Sequence, residues 1–164
     1  MKELMLLNDD ELQTEVLNID RRRTKLNTSE GMSEASRLML GVLRGIEAAG
    51  YEPKSDLADM AATWVMLMRE QIAVYRFEGI KEAVYEFLRT DTREYKQFPS
   101  AGQIIEVCSR IGRNPRSELG RRRQAEFERQ VDEERDREMA ALPEEYKKAC
   151  AERIKRLWKG KYEN

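Results

Sequence analysis

The sequence predicts an all-α protein. Apolar residues recur at spacings of three and four along most of the chain, and no segment alternates with a period of two. Ala, Leu, Met, Glu, Lys and Arg, which favour helices, are abundant, while Val and Ile are scarce. The architecture expected is a small helical bundle. An extra helix precedes it, and a long, highly charged tail, helical or partly disordered, follows it.

The first helix is expected over residues 8–26, capped by Asn8 or Asp9, with Leu12, Val16, Ile19 and Leu26 on one face. Residues 27–31 read as a linker. The second helix is expected over residues 33–49, where Ala35, Leu38, Met39, Val42, Leu43 and Ile46 form a broad apolar stripe, and Gly50 is placed to end it in a left-handed conformation. A third helix is expected over residues 55–75, with Ala61, Trp64, Val65, Leu67, Met68 and Ile72 inward. After a short break at residues 76–78 a fourth follows, burying Ile80, Ala83, Val84, Phe87 and Leu88. A polar connection over residues 90–99 leads to Ser100 and Gln103, spaced as a capping box. That box opens a fifth helix carrying Ile104, Ile105, Val107, Cys108 and Ile111, which Gly112 stops.

The composition then changes. Residues 113–164 hold 15 Lys+Arg against 12 Asp+Glu, whereas residues 1–112 hold 15 against 19. Over residues 115–141 the large apolar residues are Leu119, Phe127, Val131 and Met139, a stripe too thin to dock on a core, so a solvated or partly disordered helix is expected. Pro143 suits the first turn of a last helix with Ala149, Cys150, Ile154, Leu157 and Trp158 on its apolar face. An isolated helix of this length is marginal in water, so fraying is expected until the patch is covered. The chain divides on this reading into residues 1–32 (helix and linker), 33–112 (four-helix bundle) and 113–164 (charged tail).

The absence of histidine among 164 residues excludes Ser-His-Asp and Cys-His catalytic sets and imidazole-based zinc sites. Two distant cysteines make no disulfide framework and suit a reducing compartment. Neither G-x-x-x-x-G-K-[ST] nor G-x-G-x-x-G occurs, so no phosphate cradle is visible. The acidic runs Asp132-Glu133-Glu134 and Glu144-Glu145 lie in charged stretches that offer no burial to separate two pKa values. No enzymatic activity, cofactor or metal is therefore expected. The apolar run at the N-terminus covers four residues, too few for a secretory signal, and no stretch approaches a membrane span, so a cytoplasmic protein with no membrane partner is expected.

Two arginine triplets stand out. Arg21-Arg22-Arg23 is flanked by acids and reads as an internally paired face. Arg121, Arg122 and Arg123 follow a joint and have Arg113 and Arg116 upstream, making them the candidate contact to nucleic acid. The near-zero net charge, 30 Lys+Arg against 31 Asp+Glu, limits that contact to weak, nonspecific binding. Trp64 reads as core. Trp158 has little around it to bury it, and with Ile154, Leu157, Lys155 and Arg156 it forms the candidate partner-binding patch.

Residues 40–105 carry a pattern of their own. Tyr51 and Pro53 follow one amphipathic helix, Trp64 and Leu67 stand on the next, Phe77 precedes Ala83 and Val84, and Phe98-Pro99 leads into Ile104 and Ile105. This pattern resembles the small phage-encoded loaders and inhibitors of the bacterial replicative helicase, with two departures: the extra N-terminal helix and the long tail. The resemblance implies a helical domain plus a C-terminal region that contacts the hexameric helicase, without ATPase activity. It also implies a second contact to the phage's origin-binding protein, in the cytoplasm of the bacterial host. The alternatives are a DNA-binding or transcription-regulating module using the arginine clusters, and a phage inhibitor of another host protein.

Overall fold

The structure, a computed structural model, describes residues 7–162, which form seven helices and no strand beyond one isolated bridge between Glu52 and Gln97. Helix α1 (Asp9–Leu26) begins at Asn8. The Asn8 side chain accepts from the Glu11 N–H and the Glu11 carboxylate accepts from the Asn8 N–H, both at 2.9 Å, so two N-terminal donors are satisfied reciprocally. Only Asn27 and Thr28 separate it from α2 (Ser29–Ala48), because Thr28 accepts from the Gly31 N–H and caps α2 four residues earlier than the sequence suggested. At its end Gly50 adopts φ 95°, as its position in the sequence implied.

Helix α3 (Leu57–Leu67) is capped by Asp56, whose side chain accepts from the Ala58 and Asp59 N–H groups. The single third helix expected to run to Tyr75 is instead interrupted at Met68, where φ is −105° and ψ is 17°. Neither Gly nor Pro marks the place. The break keeps Trp64, Val65 and Met68 buried on one side of it and Ile72, Ala73 and Val74 on the other, a gain in apolar burial that outweighs continuous helix. Leu67, expected inward, is left 61% exposed. Helix α4 (Arg69–Thr90) follows and turns at Arg76, within the break anticipated at residues 76–78.

Helix α5 (Ala101–Ile111) has the capping box read from the sequence: Ser100 accepts from the Gln103 N–H at 3.2 Å and the Gln103 side chain accepts from the Ser100 N–H at 2.9 Å. Gly112 stops it, and a side chain there is impossible without movement. A Cβ would lie 2.5 Å from the Cys108 carbonyl oxygen and 2.5 Å from the Tyr75 ring. Cys108 is buried, and burial pushes its thiol up to about 11.

The described residues up to Leu119 form one compact unit. Helix α1 is part of it. Ile19 and Leu26 join Met39, Leu43, Ile46, Val65, Met68, Ile80 and Ile104 in the core, and α1 packs on α4 and α2. The division at residue 32 therefore does not separate α1 from the rest. Of its stripe of four large residues Leu12, Ile19 and Leu26 are buried and Val16 half-buried, with α2 beginning two residues beyond the helix. The unit also extends past Gly112, since Asn114 caps α6 (Pro115–Ala141), Arg113 forks onto Glu118, and Glu118 and Leu119 are buried.

The segment over residues 91–99 is held by a polar clasp. Asp91, its side chain 4% exposed, accepts from Arg93 Nε and Nη2 at 2.8 and 2.9 Å and from the Tyr51 hydroxyl at 2.9 Å. The Arg93 hydrogen bonds hold its carboxyl well below the usual carboxylate range.

From Gly120 onward the second unit contains the rest of α6 and α7 (Glu144–Tyr162). Both are helical over their described residues, whereas the last helix was expected to fray. Pairs three and four apart support α6, among them Gln124–Glu128, Arg129–Glu133 and Arg135–Asp132. At α7 the Pro143 carbonyl accepts from Tyr146 and Lys147, so proline sits just before the first turn.

Two outcomes follow. Nothing lies within 4 Å of a Cβ built at Gly41 in α2, so Gly41→Ala is expected to stabilise by about 0.5–1 kcal/mol. Gly112→Ala is expected to destabilise by about 1–3 kcal/mol. Urea unfolding of both variants checks the opposite signs. In the second, a depressed Asp91 pKa gives stability that is present above the unfolded value and lost as pH falls through the folded one. Wild type is therefore more stable than Asp91→Asn at neutral pH, and the two stabilities converge in acid, as thermal melts across pH report.

Candidate functional site

The residues singled out for partner binding lie together on α7. Glu144 and Glu145 occupy its first turn and Lys159 and Lys161 its last, an order that matches the helix dipole. Tyr146, Cys150, Ile154 and Leu157 follow at spacings of four, four and three, and Trp158 lies one turn beyond Ile154, so these side chains share a broad face. That face is open: Ile154 is 55%, Leu157 66% and Trp158 62% exposed. Lys155 and Arg156 are exposed beside it, and no residue of α7 described to residue 161 is buried. Over the whole helix seven Lys+Arg stand against three Asp+Glu. The arrangement is a basic amphipathic helix with aromatic and aliphatic anchors.

The arginine triplets are used differently. Within the first, Arg22 pairs with Glu15 at 2.8 Å and donates to the Ala73 carbonyl at 2.7 Å, and Arg23 pairs with Asp20 and Glu70. These two arginines tie α1 to α4. Arg116, upstream of the second triplet, pairs with Asp20, and Arg113 with Glu118. Arg121 and Arg123 are exposed on α6 while Arg122 is half-buried.

A second surface lies on the first unit, where the end of α3 meets the start of α5. A cleft of about 320 Å³ is lined there by Met60, Thr63, Trp64, Leu67, Phe98 and Pro99. Its floor is the edge-to-face pair of Trp64 and Phe98, with ring centroids 6.4 Å apart and planes at 71°. Trp64 and Phe98 are buried, whereas Met66 and Leu67 stand exposed at the end of α3. The charged residue lining the cleft is Lys54. Periodicity alone assigned Leu67 to the core, so the cleft was missed. The available signal was the crowding of Met60, Met66, Leu67 and Met68 within nine residues, more apolar surface than one buried face takes.

A third feature is the turn in α4. Arg76 has φ 61° and ψ 176°, a region that side chains other than glycine rarely occupy, at a cost of about 1–3 kcal/mol. It permits close approach of the flanking turns: a Cβ at Gly79 would fall 2.8 Å from the Tyr75 Cβ. The Arg76 guanidinium joins Arg22 on Glu15, at 3.2 Å. Burial raises the Glu15 pKa, but hydrogen bonds and charge from the two arginines outweigh it and hold the carboxyl below its ordinary value. A cleft of about 270 Å³ opens beside the turn, floored by Leu26, Ala35, Ile72 and Phe77.

Among the described residues, no three His, Cys, Asp or Glu side chains are grouped to hold a metal ion, and no helix is long and apolar enough to cross a membrane. In comparisons with known proteins, no family model, curated protein or solved structure matches this chain. The described residues thus define an all-helical protein that carries an exposed basic amphipathic helix.

The turn in α4 has a direct test. Arg76→Ala and Arg76→Gly both lose the Glu15 pair, but only glycine relieves the backbone. The glycine variant is expected to be the more stable by about 1 kcal/mol, the reverse of the order inside an ordinary helix. Denaturant unfolding of the pair reads the sign.

Proposed function

We propose that this chain is a non-enzymatic adaptor of phage or prophage origin that binds a partner protein through α7. The supporting observation is the exposure of Ile154, Leu157 and Trp158 beside Lys155 and Arg156. An amphipathic helix lays such a face into a groove, a few large anchors supply most of the affinity, and the flanking cations steer approach. The partner is the hexameric replicative helicase of the bacterial host, held for loading or inhibition in the cytoplasm. That assignment follows from the resemblance in residues 40–105. Of the pattern residues, Tyr51, Trp64, Ala83, Val84, Phe98, Pro99 and Ile104 are buried and Pro53, Phe77 and Ile105 half-buried, as a folded scaffold requires, whereas Leu67 is exposed. The phage origin-binding protein is the second partner on the same grounds. A nucleic-acid-binding role is the rival reading, favoured by the exposure of Arg121 and Arg123.

Titration calorimetry of the purified chain with the hexameric helicase tests the proposal. Trp158→Ala is expected to weaken binding by at least ~2 kcal/mol while changing stability by no more than ~0.5 kcal/mol, as surface substitutions do. Absence of helicase binding, or binding indifferent to Trp158, refutes it. Sequence-specific DNA binding with Kd near 10⁻⁸ M, the order of true operators, and lost in Arg121→Ala/Arg123→Ala, awards the case to the rival.

A further inference from the structure

We infer that the cleft beside the turn in α4 is a binding site for a small organic carboxylate, an apolar body carrying one negative charge. The site is built by α1, α2 and α4 alone, and the inference does not depend on the adaptor reading.

The lining provides for the apolar body. Helix α1 contributes Leu26, α2 contributes Ala35 and Leu38, and α4 contributes Ile72 and Phe77 from the two sides of its turn. Leu38 is 42% exposed, a large apolar side chain that the fold leaves uncovered at the cleft. An apolar cavity of about 150 Å³ takes benzene. The volume here, about 270 Å³, therefore takes a substituted ring or a medium-length alkyl chain. Gaps between the helices of a bundle are a common place for such ligands.

Charge selects the head group. Arg22, Lys25, Arg76 and Lys81 line the cleft against Glu34 and Glu78. Lys25 and Glu34 neutralise each other at 2.7 Å. Arg22 and Arg76 share a single carboxylate, Glu15, so two positive charges there meet one negative. With Glu15 counted, four cations stand against three acids, an excess of one positive charge. A carboxylate cancels that excess. A phosphate monoester, at about −1.5 to −2 near neutral pH, overshoots it and is repelled by the three acids. Donors are free as well. Among the described residues Arg76 donates to Glu15 from Nη2 alone, which leaves its Nε and Nη1 groups to fork onto a carboxylate. Lys81 is exposed and has no ion pair among the described residues. Arg76 is also the residue with φ 61°. Glycine would avoid that cost, yet the strained position carries a side chain that lines the cleft, and such strain clusters at ligand clamps.

The test is a heteronuclear NMR titration of the full chain with octanoate, octanol, octylamine and octyl phosphate at physiological ionic strength. Octanoate is expected to shift the resonances of Ala35, Leu38, Ile72 and Phe77 with Kd below about 1 mM. It should bind at least about tenfold tighter than octanol or octylamine, the difference made by a hydrogen bond to a charged group. Arg76→Gly removes the guanidinium while relieving the backbone, and should weaken octanoate at least about tenfold. Lys81→Glu reverses a charge at the cleft without touching the Glu15 pairs, and should weaken it too. Circular dichroism melts verify that both variants fold; if the first does not, the second decides alone. Octanol binding as tightly as octanoate reduces the site to an apolar crevice and overturns the inference. So does octanoate binding that is unchanged in a folded variant. Octyl phosphate binding tighter than octanoate overturns the assignment to a single charge. Shifts confined to the Trp64 and Phe98 cleft or to α7, or no shifts up to about 1 mM, overturn the site itself.

Discussion

Helix α4 packs on each of the other four helices ending before Gly112, and it meets them by changing direction at Arg76. A straight amphipathic helix presents one stripe, wide enough for one or two neighbours. Before the turn α4 buries Ile72, Ala73 and Val74; after it, Ile80, Ala83 and Val84. The turn costs backbone energy, and three features around it hold the arrangement: the Tyr75 ring against Gly112, the Tyr75 Cβ where a side chain at Gly79 would be, and the carboxylate of Glu15 shared by Arg22 and Arg76. Helix α1 supplies that carboxylate. The first helix thus contacts the fourth at its turn as well as through the core.

Features of the fold set by neighbours in sequence were legible there. The Ser100–Gln103 box, the left-handed Gly50 and the stop at Gly112 are each decided within four residues. So was a break near residues 76–78, although its form, a turn within one helix, was not. The interruption at Met68 was illegible because Leu67, Met68 and Arg69 all favour helix, and the break answers to burial of side chains far away in the chain. The same holds for Arg23, whose partner Glu70 is 47 residues distant, and for Arg69, which donates to Asn27 and the Leu26 carbonyl.

The candidate surfaces divide along the same line. The face of α7 was readable because it lies within one helix, where spacing alone brings Ile154, Leu157 and Trp158 together. The cleft was not, because α3 provides Met60, Trp64 and Leu67 while Phe98 and Pro99 arrive from a segment some thirty residues later. What places that segment is the clasp of Tyr51, Asp91 and Arg93, itself assembled from two loops. Phe98 and Trp64 are individually recognisable as apolar anchors; their meeting edge-to-face is a property of the assembled fold.

The two units also commit their charges differently. In the first, Arg22, Arg23, Arg76 and Arg116 reach carboxylates on other turns or other helices, and most of these contacts also fix one element against another. Removing one costs packing as well as charge. In the second, Arg129, Arg135 and Arg137 pair with carboxylates three or four residues away on the same helix. Such exposed pairs are worth only a few tenths of a kcal/mol and weaken further with salt. A cation held this lightly exchanges its partner at little cost, whereas one that pins α1 to α4 does not. Arg22, Arg23 and Arg116 thus join helices of the first unit, while Arg129, Arg135 and Arg137 brace only their own helix.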